Sequence, residues 1–170
     1  DTTAIWVEPT PRVVNVPQSD TICDGQATTI ELTSVSNPTR PVEFRYVVEP
    51  ENPAEVAVTI NGATSGLTEG FIIADNIDNL SDDRQLVRFI VTPYTVDSNG
   101  DEKCAGINDT TAIWVEPTPR VFTFITNDTI CNNDPVIISF GTPTTATIGI
   151  DFNMRVINIY PEISGYSPDT

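Results

Sequence analysis

An all-β chain, folded as an antiparallel sandwich and repeated in tandem, is predicted by three observations. Apolar and polar residues alternate at period two along several short segments, as in strands that bury one face. The 14 Pro and 9 Gly supply frequent turns, and no segment sustains a helical period. Residues 1–12, DTTAIWVEPTPR, recur unchanged at 109–120, which sets a period of 108 residues (109 − 1). The register then holds without gaps: Asp20-Thr21-Ile22-Cys23 returns as Asp128-Thr129-Ile130-Cys131, and Phe44 returns as Phe152.

The elements follow in order. Val13 to Val16 is a short apolar candidate, and Ile30 and Leu32 alternate with Glu31 and Thr33. Phe44, Tyr46 and Val48 define a longer strand; Val56, Val58 and Ile60 define the next, closed by a turn at Asn61-Gly62. Phe71 to Ala74 is a further short candidate. Asp78 to Arg84 reads as one helical turn capped by Ser81 or Asp78. Val87, Phe89 and Val91 form the strongest strand, Asp97 to Lys103 a hairpin, and Ile113 with Val115 the last strand. About seven strands is the number of an Ig-like sandwich. Its expected inward residues are Phe44, Tyr46, Val87, Phe89, Val91, Ile113 and Val115.

The repeat sets the organisation: residues 1–12 read as the last strand of a preceding repeat, 13–120 as a complete one, and 121–170 as the N-terminal part of the next. The chain thus reads as a piece of a longer array. Its junction, Val115-Glu116-Pro117-Thr118-Pro119-Arg120, has two prolines that fix φ and hold their neighbours extended, so it should be short and stiff.

Eight Lys and Arg against 24 Asp and Glu give a net charge of −16, which disfavours nucleic acid and anionic membrane surfaces as partners. No apolar run approaches the length of a membrane span. The absence of His removes imidazole from any Ser or Cys triad and from zinc ligation. A carboxylate pair can hydrolyse glycosides without His, but a 108-residue sandwich spends its apolar residues on its own core and offers no large cleft. No enzymatic activity is expected. Trp6, Trp114 and Tyr94 could form a sugar-stacking platform; alternatively Trp114, between Ile113 and Val115, faces outward to cover a sheet edge or meet an adjoining module.

The motifs Asp20-Thr-Ile-Cys-Asp-Gly25, Gln85-Leu-Val-Arg-Phe-Ile-Val-Thr-Pro-Tyr94, Gly100, Cys104-Ala-Gly106 and Ile113-Trp-Val-Glu-Pro-Thr-Pro119 together resemble the PKD-like repeats of giant Bacteroidetes surface adhesins. Within that group they are most similar to the SprB-type gliding-motility adhesins, which are substrates of type IX secretion. The likeness covers residues 13–120 and the start of the next copy. It departs at Phe44-Arg45-Tyr46, where such repeats commonly carry an aromatic-x-Trp strand. The resemblance implies an extracellular, cell-surface filament of many repeats that supports adhesion and gliding. Its partners would be neighbouring repeats, with a surface polysaccharide or substratum also expected. The competing reading is a carbohydrate- or protein-binding accessory module of a large secreted enzyme.

For an acidic chain of this surface type, Cys23 and Cys104 are expected to form a disulfide, closing a loop of 81 residues (104 − 23) and stabilising the fold by up to about 4.5 kcal/mol. The partner of Cys131 would lie outside the sequence. Two buried free thiols are the alternative, and a catalytic Cys lacks a His to activate it. Asp97, Asn99 and Asp101 place oxygen ligands at alternate positions around Gly100, the pattern of a calcium loop, although the same residues suit a plain hairpin turn with positive φ at Asn99-Gly100. No other cofactor is expected. Thr21 and Thr129, and more weakly Thr2 and Thr110, follow Asp in the manner of the O-glycosylation signal of exported Bacteroidetes proteins. The plainer reading makes them turn or strand-entry residues.

Overall fold

The computed structural model of the chain describes residues 1–157. Among these described residues twelve strands form in chain order: β1 (Val13–Val16), β2 (Ser19–Cys23), β3 (Ile30–Ser34), β4 (Val42–Pro50), β5 (Val56–Thr59), β6 (Ile72–Ile73), β7 (Asn76–Asn79), β8 (Gln85–Val96), β9 (Glu102–Ala105), β10 (Asp109–Glu116), β11 (Phe122–Ile125) and β12 (Ile138–Gly141). Among the described residues there is no helix, so none is long and apolar enough to cross a membrane.

Residues 13–116 build a β-sandwich. One layer is β1-β3-β6 and the other is β2-β10-β8-β4, with β9 pairing the far end of β8 and β5 pairing β7 beside them. The apolar faces of the layers meet in one cluster in which Phe44, Phe89, Ile30, Leu32, Ile77, Val87, Val91, Ile113 and Val115 are at most 1 % exposed. All seven residues expected to point inward are buried. Strand β8 is the central element, because β4 flanks it along its length while β10 and β9 share its other side.

Three elements differ from expectation. The pairing of β10 with β2 is parallel, since the chain switches sheets between β1 and β2 around Pro17 and enters β2 alongside the last strand. The expected helical turn at Asp78–Arg84 is absent. Asn76–Asn79 pairs instead with Val56–Thr59, and the Asn79 side chain donates to the carbonyls of Val115 and Asp83 while accepting from the Ser81 amide. Local capping chemistry was outweighed there by burial of Ile77 and by pairing. Asn61-Gly62 closes no hairpin either: the Asn61 amide donates to Asp75 Oδ1 at 2.8 Å, and β5 finds its partner in β7.

Asp75 is 1 % exposed, yet it is satisfied. Its Oδ2 accepts from the Tyr46 hydroxyl at 2.7 Å and its Oδ1 from Asn61, while Thr28 exchanges backbone and hydroxyl bonds with the Ile73–Asp75 segment. This network ties β4 in one layer to the 73–75 segment in the other.

Residues 121–157 repeat the start of the sandwich. The β11–β12 register, Phe122 opposite Gly141 and Phe124 opposite Ser139, is that of β1–β3 advanced by 108, where Val14 faces Thr33 and Val16 faces Glu31. Ile138, Phe140 and Phe152 correspond to Ile30, Leu32 and Phe44, which are fully buried, but stand 38–42 % exposed. Their covering strands, the counterparts of β8 and β10, are absent among the described residues.

Candidate functional site

A cluster of specific polar contacts outside the core lies where β10 ends and the chain enters the second copy. The Glu116 carbonyl accepts from the Asp24 amide, and the Thr118 hydroxyl donates to Asp24 Oδ2, fixing the linker's first half on the sandwich. Arg120 then makes a two-pronged ion pair with Asp82, its Nε donating to Oδ1 at 2.6 Å and its Nη2 to Oδ2. The Thr145 amide donates to the Asp82 carbonyl at 2.7 Å, and Asp83 pairs Thr145 in a parallel bridge. Glu116 reaches forward to accept from both the amide and the hydroxyl of Thr147. Arg84 lies 4.3 Å above the Trp114 ring and donates to the Thr147 hydroxyl. Because the Arg120 side chain is 64 % exposed, solvent screens the ion pair and it contributes little alone; rigidity comes from many bonds acting on a proline-restricted linker.

Two of the linker's contacts with the copy that follows it also occur one period earlier. Glu8 accepts from the Thr39 amide at 2.7 Å as Glu116 does from Thr147 at 2.9 Å, and 39 + 108 is 147. The Arg12 amide donates to Ser36 Oγ at 3.0 Å as the Arg120 amide does to Thr144 Oγ1 at 2.9 Å, and 36 + 108 is 144. Even the substitution between copies is compensated. The Val35 amide donates to the Arg12 carbonyl; its counterpart is Pro143, which has no N–H, and the Thr142 hydroxyl donates to the Arg120 carbonyl instead. These residues escaped the sequence reading, although hydroxyls kept at 36/144 and 39/147 amid diverged filler were a readable signal.

The structure does not bring Cys23 and Cys104 together. Cys23 is level with Glu116, beside the Gln85 end of β8, whereas Cys104 faces Thr95, ten residues along β8 (95 − 85). That is about 33 Å of strand, against the roughly 7 Å that a disulfide spans between Cα atoms. All three cysteines are free, and the expected bridge is corrected. Alkylation of the native protein without reductant should label Cys23, Cys104 and Cys131, and a Cys23–Cys104 linked peptide in a non-reduced digest would contradict the fold.

Asp97, the first of the calcium candidates Asp97, Asn99 and Asp101, is engaged within its own loop. Asp97 Oδ1 accepts from the amides of Asn99 and Asp101, and its Oδ2 lies 2.7 Å from Lys103 Nζ, so an ammonium occupies the place of a metal. Among the described residues no three acidic or thiol side chains converge as a metal site. The loop is a three-residue hairpin: Gly100 N–H returns to the Asp97 carbonyl and only Gly100, at φ 84°, is left-handed, not Asn99. Lys103 first, then the Asn99 amide, pull the Asp97 carboxyl from 3.8 to about 2. Its contribution to stability is therefore complete above pH 3.8 and is lost as pH falls through about 2. An NMR titration should place its midpoint near 2, and Lys103→Gln should move it back toward the ordinary carboxylate range.

Thr21 is exposed on β2 opposite Trp114, and Thr110, Thr129 and Thr2 are also exposed. Asp20 and Asp109 each accept from the amide of the following Thr; Asp109 is further engaged by the Asn15 amide and Gln18. Tyr94 and Trp114 do not share a platform. Trp114 faces Leu86 on β8 under Arg84, while Tyr94 lies eight residues farther along (94 − 86), 7 % exposed, hydrogen-bonded to Glu43 and covered by Arg45. Trp6 stands alone, 93 % exposed. No family model, curated protein or solved structure matches this chain.

Proposed function

We propose that the chain is a non-catalytic structural repeat of a long extracellular filament on a cell surface, one that supports adhesion and gliding as the resemblance to PKD-like, SprB-type adhesin repeats implies. The observation that carries this reading is the junction: the same hydrogen bonds, made by the same linker residues, recur at 108 residues, as a rod of Ig-like units needs. A flexible tether needs none of them. Charge supports the reading as well, since −16 keeps neighbouring filaments apart and leaves a polysaccharide or substratum as the natural contact. Exposed Thr21, beside the junction, and Thr129 are the proposed points of O-glycosylation, on export by type IX secretion.

Antibodies raised against residues 13–120 test the location. They should label intact cells, and brief external proteolysis should remove the signal together with surface attachment. Labelling only after permeabilisation would overturn the proposal.

A further inference from the structure

We propose that the face formed by Pro11, Arg12, Ser36, Asn37 and Thr39 is the seat of a second unit of this same fold, whose Asp82–Arg84 edge it grips and whose slot between β2 and β8 is filled by residues 1–8. The inference rests on the tandem reading above and adds the partner surface to it.

Residues 1–8 and 109–116 are identical, but their surroundings are opposite. In β10, Thr111, Ile113 and Val115 are 0–1 % exposed between β2 and β8; Ile5 and Val7, their counterparts at 113 and 115, are 84 % and 89 % exposed. A segment with the complete side-chain complement of that slot fits a body that presents it, parallel to Ser19–Cys23 and antiparallel to Gln85–Val91. Each linker proline marks one side of the joint. Pro117 is buried and Pro119 exposed, whereas Pro9 is exposed and Pro11 buried, its carbonyl accepting from Ile107 while it packs on Gly106. The first proline therefore seats on the unit before the linker and the second on the unit after it.

The receiving face is already shaped. The Glu8–Thr39 and Arg12–Ser36 bonds hold the linker on this face, and a groove of about 530 Å³ opens beside Ser36, Asn37 and Pro38. Arg12 makes no ion pair among the described residues, while its counterpart Arg120 holds Asp82. Asn37 corresponds to Thr145, which pairs Asp83. The partner offers Asp82 and Asp83 to a face that carries Arg12 and Arg40, in a chain with only eight basic residues.

The test uses the full chain and the same chain preceded by one more copy of residues 1–108, with Trp6 of the full chain as the only Trp in each. Trp6 fluorescence should shift to the blue in the extended protein, and its quenching by acrylamide should fall to that of Trp114 in a Trp6→Phe chain. With native cysteines replaced by Ser, Asp83→Cys in the extension and Asn37→Cys in the chain should form a disulfide under mild oxidation. Protection of Trp6 without that crosslink overturns the docking face and leaves the tandem reading standing. Unchanged quenching of Trp6 overturns both. If the cysteine pair fails to fold, charge reversal replaces it: Arg12→Asp in the chain should speed amide exchange at 36–39 and Asp82→Arg in the extension should restore it, whereas exchange that neither change alters overturns the face.

Discussion

Phe89→Ala should lower the unfolding free energy by about 3–5 kcal/mol, and Phe89→Asp should leave no folded protein. Phe89 is 0 % exposed on the central strand, level with Thr111 of β10 and Val48 of β4, and its ring lies 6.2 Å from that of Tyr46. Truncation leaves a cavity where both layers meet and neither can collapse, because β8 is paired on both sides. A loss of this size is a large part of the roughly 5–15 kcal/mol that holds a domain together. Urea melts followed by Trp114 fluorescence should show the midpoint fall with an unchanged slope for Phe89→Ala, and a cooperative melt in Phe89→Asp would refute the inward register of β8.

Tyr46→Phe should cost about 2 kcal/mol, because it removes a hydrogen bond to a buried carboxylate and leaves the Asp75 side chain held by the Asn61 amide alone. The effect also depends on pH. Burial first, and then the bond to Asp75, raise the Tyr46 pKa above its ordinary 10.0. The unfolded chain therefore releases this proton at a pH where the folded chain keeps it. The contribution is complete below pH 10 and fades as pH rises beyond it. Tyr94, raised mainly by desolvation, acts in the same direction. Chemical denaturation at pH 8 and pH 11 should show the wild type losing more stability between them than Tyr46→Phe; equal losses would remove Tyr46 from the account.

What the sequence made legible was what periodicity encodes. Alternation at Phe44–Val48, Val87–Val91 and Ile113–Val115 identified the strands that form the core, since burial of one face is written at every second residue. The 108-residue repeat located the junction. Long-range partnership is not written that way. β2 has only Ile22 to bury and is held by parallel pairing to a strand ninety residues away, and Asp78–Arg84 looked like a capped helical turn because the pairing of Asn76–Asn79 with Val56–Thr59 carries no local mark. The cysteine arithmetic failed for the same reason: counting loop length says nothing about which end of β8 each thiol occupies. The junction contacts came from the hydroxyls of Ser36 and Thr144 and the backbone amides of Thr39 and Thr147, residues that in isolation resemble ordinary loop filler.

The central claim, that successive units are fixed to one another by a repeated joint, is tested most directly by ¹⁵N relaxation of the full chain. The account predicts that amides of 138–147 tumble with those of 13–116 at one rotational correlation time, and that Glu116→Ala combined with Arg120→Ala splits them into two while the sandwich melts as before. Two correlation times in the unaltered protein would contradict it.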